Sequence, residues 1–229
     1  FILSEMESTT DIIPMPIAGV LSPVSIAGNI AMTCAEVLGV MTCIHAVCPE
    51  SIVGGGVISG VMDMREGCAS FAAPETLLQD IGAACMFEKK YGQNFAIGTG
   101  YIDAAFPGTQ SAVEIFSRIM ASMSIGHCDY PVGLLFGGKR WSPIQAYIGL
   151  EMAKYAHRYN MDISFDKDQM PIELFEEVGI SGDYLGHEHT VMHFRENIWM
   201  SGLMERTLKE RPGTDVMIDN AKQKWLEFI

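Results

Sequence analysis

The side chains best suited to chemistry in this sequence fall into a few sets. The densest is Gly186-His-Glu-His-Thr-Val-Met-His193, inside the polar run Asp183–Arg195. Neutral imidazoles at His187, His189 and His193, with Glu188 as ligand or base, would suit zinc or iron. The same imidazoles donate hydrogen bonds to a carboxylate. No fixed third ligand stands beside them in the sequence, so substrate anchoring or loop structure is the favoured reading, and no metal is expected. A second set is aromatic: Tyr101, Phe106, Tyr130, Phe136 and Trp141. Rings facing a cavity attract a quaternary ammonium by roughly 0.5–2 kcal/mol each. Rings on apolar strands are as often plain core, but Tyr101 and Trp141 stand out because each lies in a Gly-rich loop. Asp63, beside Arg65, and Asp103 are polar residues in apolar loops, where salt bridges that hold the loops are the simplest account. Gly54-Gly-Gly56 and Gly98-Thr-Gly100 lack nucleotide-binding spacing and a P-loop Lys-Ser/Thr, so they read as tight turns rather than phosphate cradles. Glu114, Arg118 and Lys89-Lys90 read as solvated helix faces.

These residues need a scaffold, and the hydrophobic pattern supplies one. Short apolar runs at Ile12–Ala18, Ser51–Gly54, Asn94–Gly98 and Tyr130–Leu135 read as strands buried on both faces. Helical stretches follow at Pro23–Val47, Pro74–Tyr91, Thr109–Ile125 and Pro143–Tyr159. Ser22-Pro23, Pro74-Glu75 and Ser142-Pro143 are start signals, because proline is favoured at the first helical position. The alternation has the spacing of successive βα units, the material of an α/β barrel or a doubly wound sheet. The candidate residues lie in the loops after the strands, where such folds build their sites. Four strands cannot close an eight-stranded barrel. Either further units lie upstream, which the start at Phe1 rather than Met suggests, or the chain pairs with itself or another chain. Beyond Asn160 the pattern weakens: Met161–Pro171 is acidic and irregular, Ile172–Val178 is a short amphipathic stretch, and Gly179-Ile-Ser-Gly182 breaks the chain. Two regions are expected, residues 1–195 in the barrel and 196–229 as a C-terminal helical extension, with Arg211-Pro212-Gly213 as the turn between its helices.

Composition narrows the function. The 229 residues carry 15 Lys+Arg against 28 Asp+Glu, a net charge of −13, and 48% are hydrophobic. That hydrophobicity excludes bulk disorder, and the acidic balance argues against a nucleic-acid partner, which requires a basic face. The 16 Met and 23 Gly suggest a soft core with many tight turns. With no evident signal peptide, Cys34, Cys43, Cys48, Cys68, Cys85 and Cys128 read as buried thiols of a cytoplasmic protein. None forms a C-x-x-C pair. Val24–Cys48 has Glu36 as its only formal charge, but a central carboxylate costs a spanning helix about 2.5–3.5 kcal/mol. A core helix, and no membrane association, is expected.

The motifs Pro14-Met-Pro-Ile-Ala-Gly19, Ser22-Pro-Val-Ser-Ile-Ala-Gly28, Cys34-Ala-Glu36, Asp63-Met-Arg65, Gly98-Thr-Gly-Tyr-Ile-Asp-Ala104 and Gly186–Arg195 together resemble the trimethylamine methyltransferase family of corrinoid-dependent enzymes. The matches run in order from Pro14 to Arg195. The resemblance implies a (β/α)8 TIM-barrel of which this chain, as a C-terminal half, carries about four βα units plus C-terminal helices. It implies methyl transfer from a quaternary or tertiary methylated amine, trimethylamine or glycine-betaine-like, to the Co(I) of a separate corrinoid protein. Aligning Tyr101 with the family's pyrrolysine position places the chain among the non-pyrrolysine members. A quaternary ammonium leaves as a neutral amine and needs positioning rather than an activating adduct. On this resemblance Tyr101 and Trp141 would face the ammonium, His187 and His189 would hold a carboxylate, and Asp103 and Asp63 would orient the loops or the cation. The D-x-H-x-x-G corrinoid signature does not occur, so the cobalamin would arrive on the partner and this chain would bind no cofactor of its own. A homo-oligomer is expected. The alternatives are a metal-dependent barrel hydrolase built on His187 and His189, and a non-catalytic binder of betaine-like solutes.

Overall fold

The computed structural model describes residues 10–127, 131–206 and 215–229; Cys128, Tyr130 and the Arg211-Pro212-Gly213 turn lie outside the described residues. The first apolar run forms two strands rather than one, β1 (Thr10–Ile12) and β2 (Ile17–Ala18). Pro14 and Pro16 between them have no N–H to continue a ladder. Helix α1 (Ile26–Val47) follows. Then come β3 (Val53–Val57), β4 (Gly60–Asp63), β5 (Cys68–Ser70), α2 (Pro74–Tyr91) and β6 (Ala96–Ile97). The chain continues with α3 (Thr109–Met123), β7 (Leu134–Leu135), β8 (Arg140–Trp141) and α4 (Pro143–Tyr159). Last are α5 (Ile172–Val178), α6 (Glu188–Asn197) and α7 (Val216–Phe228).

The fold is mixed α/β. Strands β1-β3-β6 form a parallel sheet, with Thr10 opposite Val53 and Gly56 opposite Ala96. Strand β2 pairs in parallel with β4, which pairs antiparallel with β5. No sheet closes into a barrel among the described residues. The expected fourth strand is reduced to β7, which turns back antiparallel onto β8 through Phe136, Gly137 and Gly138 at φ 53°, 59° and 79°. The β4–β5 hairpin lies partly where the sequence reads as one open loop. Its turn is an Asx type, with Asp63 Oδ1 accepting from the Arg65 and Glu66 amides at 2.8 and 3.3 Å and Gly67 at φ 65°.

Helix ends follow local chemistry. The Ser142 hydroxyl accepts from the Gln145 amide at 3.3 Å and caps α4, so Ser142→Ala should cost about 1 kcal/mol in urea unfolding. Helix α1 starts beyond Pro23 because Ser25 is its extended cap. One core cluster joins α3 and α4 through Ile115, Ile119, Ile148 and Met152, and includes Leu203 and, from α7, Ala221. The other joins α1, α2 and the parallel sheet through Val37, Ala83, Phe87, Val57 and Ile97, where Phe87 stacks on Phe95 at 4.4 Å.

Three expectations need correction here. Helix α1 buries only Asn29, Thr33, Cys34 and Val37, so it is covered along one stripe rather than enclosed. By length and composition it is long and apolar enough to cross a membrane. Of the described cysteines, Cys34 is buried while Cys43 and Cys68 are exposed. The Gly54–Gly56 run is not a turn but the middle of β3. A Cβ on Gly55 would lie 2.2 Å from the Ile12 carbonyl oxygen, so glycine is what lets β1 approach. Gly55→Ala is expected to part β1 from β3 and lower stability by about 1–3 kcal/mol, seen as an earlier urea midpoint.

Candidate active site

The glycines of β3 leave the adjoining sheet face bare. A cavity of about 270 Å³ lies there, lined by Asp11, Ile13, Gly55, Gly56, Ile58 and the β6 end up to Thr99. The chain leaves β6 directly into the Gly98–Asp103 loop. Ile102 is fully buried and anchors this loop, with Tyr101 and Asp103 on either side of it. The larger cavity, about 560 Å³ and lined by Phe116, Met120, Met152, Tyr155, Tyr159 and Met204, sits among the helices and holds no carboxylate or cation. A third cavity of about 520 Å³ lies at Arg158, Asp162, Asp166 and Glu196, so it is the position at the start of the Gly98–Asp103 loop that makes the sheet-face cavity the candidate.

Asp103 is held tightly. Its Oδ2 accepts from the Ser70 hydroxyl and from the Ala72 amide at 3.3 Å, and Oδ1 from the Phe71 amide at 2.7 Å. The Asp103 and Ala104 amides both donate to Glu114 Oε2 at 2.9 Å. Tyr101 packs its ring against Phe71, centroids 5.8 Å apart. On another side it meets Gly138, where a Cβ would come within 2.9 Å of Tyr101 Cε1. The half-buried Tyr101 hydroxyl has no hydrogen-bond partner among the described residues. It is available to a ligand.

Beneath the loop lies a buried ion pair. Arg118 Nη2 meets Asp80 Oδ2 at 3.0 Å with both side chains fully buried. Arg118 also donates through Nε to the Gly98 carbonyl at 2.7 Å and through Nη1 to the Phe71 carbonyl. Asp80 Oδ1 accepts from the Ser59 amide at 2.6 Å. Burial pushes the Asp80 carboxyl up to about 6, against the opposing pull of Arg118 and Ser59. Arg118 thus ties the Gly98 carbonyl, at the start of the Tyr101 loop, to that of Phe71, whose ring packs on Tyr101. Arg118 is fully buried, against the expectation of a solvated helix face, and Glu114 is half-buried with one oxygen holding the Asp103 and Ala104 amides. The available signal was the α3 stripe Ser111, Ile115, Arg118 and Ser122, a core-facing spacing that includes a cation and is buried throughout.

The other candidates lie elsewhere. Asp63 meets Arg65 at 3.6 Å, and the Arg65 and Glu66 amides hold its carboxyl below the usual carboxylate range. Trp141 is 60% exposed, and its indole N–H donates to the Val132 carbonyl at 2.6 Å. His187 caps α6: its Nδ1 accepts from the His189 amide at 3.1 Å, and its Nε2 faces Glu177 at 3.4 Å. His189 Nε2 faces the Asp168 carbonyl at 3.3 Å, and its ring lies 4.6 Å from that of His193. The structure therefore brings Tyr101 and Asp103 together with Phe71, Glu114 and Gly138. The histidines form a separate cluster whose side-chain hydrogen-bond, ion-pair and ring partners fall within residues 168–193 and at Glu196. Among the described residues no group of three or more His, Cys, Asp or Glu is arranged to hold a metal ion.

The family model for trimethylamine methyltransferase matches residues 4–229. The chain belongs to the trimethylamine methyltransferase family. Within that family it is 27% identical over 192 residues to the glycine betaine methyltransferase of Desulfitobacterium hafniense (strain Y51), a match covering 83% of this chain and 40% of that protein. It is 23% identical over 201 residues to the trimethylamine methyltransferase MttB of D. hafniense (strain DSM 10664 / DCB-2), covering 87% and 40% respectively. It is 24% identical over 181 residues to the trimethylamine methyltransferase MttB of Methanosarcina thermophila, covering 79% and 37%. The chain spans about two-fifths of the length of these relatives.

Proposed function

We propose that the protein containing this chain moves a methyl group from a quaternary or tertiary methylated amine to the Co(I) of a separate corrinoid protein. The observation that carries the reading is the Tyr101 loop. An aromatic ring whose hydroxyl has no partner among the described residues packs on Phe71 in the loop that leaves β6, and the β6 end up to Thr99 lines the glycine-bearing sheet-face cavity, in a chain of this family. Open strand edges at β1 and β6 suit closure into a (β/α) barrel by the rest of the protein. The acceptor supplies the nucleophile: its electron pair takes the methyl carbon while the C–N bonding pair stays on the departing amine. This chain's residues have to bind, orient and exclude water. The Tyr101 π face holds the cation, and its hydroxyl is free to reach a polar substituent. Asp103 fixes the loop and contributes negative charge beside the cation. His187 and His189, clustered apart from Tyr101, are given no part in holding this substrate, and Trp141 and Asp63 lie outside the pocket as well.

The test is methyl transfer to supplied cob(I)alamin, followed by its absorbance change across a panel of methylated amines. Tyr101→Phe should keep most of the affinity, whereas Tyr101→Ala should raise KM for the amine about 10-fold through loss of the cation–π contact. Binding of methylated amines without turnover would instead support a solute-binding protein.

A further inference from the structure

The loop that packs Gly138 onto Tyr101 carries a second feature on its outer side. Lys139 and Arg140 are adjacent exposed cations in a chain of net charge −13, and neither has a carboxylate partner among the described residues. Both lie on aromatic faces instead. The Lys139 ammonium is 5.3 Å from the Phe136 ring centre, and the Arg140 guanidinium is 5.1 Å from Phe106 and 5.2 Å from Phe136. Arg140 Nη1 also donates to the Ala105 carbonyl at 3.3 Å, which joins the loops after the third and fourth strand regions.

The backbone is held in a costly shape to produce this plate. Phe136 is a bulky residue at φ 53°, pinned there by its amide to the Ala104 carbonyl at 2.9 Å and by the Gly137 amide to the Ile102 carbonyl at 2.8 Å. Strain of this kind is kept at functional sites. Here it holds an aromatic ring 45% exposed beside Phe106, itself 73% exposed. Arginine and aromatic residues are what protein interfaces favour.

We propose that Phe106, Phe136, Lys139 and Arg140 form a plate on which a carboxylate-bearing surface of the methyl-accepting protein docks. The proposal rests on the methyl-transfer reading above. Charge complementarity selects the partner's chemistry: the unpaired cations attract carboxylates, while the acidic remainder of the chain repels them and so orients the encounter. Contact between Gly138 and Tyr101 places the plate at the rim of the candidate site, where an acceptor must approach.

The experiment uses the protein as its gene encodes it, with Lys139→Glu/Arg140→Glu and the milder Lys139→Gln/Arg140→Gln. Steady-state rates are measured against varied corrinoid protein and, separately, against free cob(I)alamin. Charge reversal should raise KM for the corrinoid protein about 10-fold or more, with a smaller rise for the neutral pair. The KM of the unmodified protein should climb with salt and approach that of the variants. Transfer to free cob(I)alamin, and KM for the amine, should stay unchanged in all forms. An unaltered KM for the corrinoid protein overturns the plate, as does a rise in KM for the amine, which would make these cations readers of the small substrate. Failure of the unmodified protein to methylate either acceptor overturns the methyl-transfer reading itself and the plate with it.

Discussion

Arg118→Met should lower the unfolding free energy by about 3–5 kcal/mol at neutral pH, because it strands a buried carboxylate without its counter-charge. The same change frees the Phe71 and Gly98 carbonyls that Arg118 holds, so the Tyr101 loop loses its floor. Arg118→Lys should recover little, since a single ammonium cannot reproduce the guanidinium fork. The pH dependence has a definite sign. Burial raises the Asp80 carboxyl from an ordinary 3.8 to about 6 in the folded chain, so between these values the native state binds more protons than the unfolded one. Its contribution to stability is fully present below about pH 4 and declines as pH rises towards 6. Removing Arg118 removes a pull that lowers the carboxyl, so in Arg118→Met the decline should extend to higher pH. Asp80→Asn should abolish this component of the pH dependence. Urea unfolding of the three proteins between pH 4.5 and 8 measures it, and identical pH slopes in all three would contradict the assignment.

The largest effect on activity is expected from Asp103→Asn. The carboxylate accepts from Ser70 Oγ and from the Phe71 and Ala72 amides, and an amide nitrogen would turn its own hydrogens towards some of those donors. The fold should survive at a cost of about 1–3 kcal/mol. The loop should not keep its geometry, and Tyr101 moves with it. Misplacement by about 1 Å is enough to cost on the order of 100-fold in rate, so kcat/KM for methyl transfer should fall by about that factor with a near-native circular dichroism spectrum. Glu114→Gln should do less, because its remaining oxygen can still receive the Asp103 and Ala104 amides. Full activity in Asp103→Asn would reduce this residue to a loop staple.

Comparing these residues with their reading in the sequence separates local from non-local physics. Helices Pro74–Tyr91 and Pro143–Tyr159 have the bounds that the sequence implies, and the short amphipathic stretch Ile172–Val178 is a helix. Proline at the first position, serine caps and apolar periodicity all act within a turn or two of the chain. Family membership was legible too, since the ordered motifs from Pro14 to Arg195 need no structure to be compared. The β4–β5 hairpin was missed although Asp63 and Gly67 carry its turn signal, because strands this short leave little periodicity.

The sequence by itself thus determined the alternation of strands and helices, the acidic balance and the family. Tertiary structure decided which groups Arg118 and the half-buried Glu114 meet, that Gly54–Gly56 is a strand against which another backbone lies, and that His187 and His189 cluster apart from Tyr101. The reason is common to all three. The partners of Arg118 are Phe71, Asp80 and Gly98, and the group pressing on Gly55 is the carbonyl of Ile12. What a buried charge meets and what crowds a glycine depend on atoms brought from distant segments; the α3 spacing can say that Arg118 faces the core but not what it meets there.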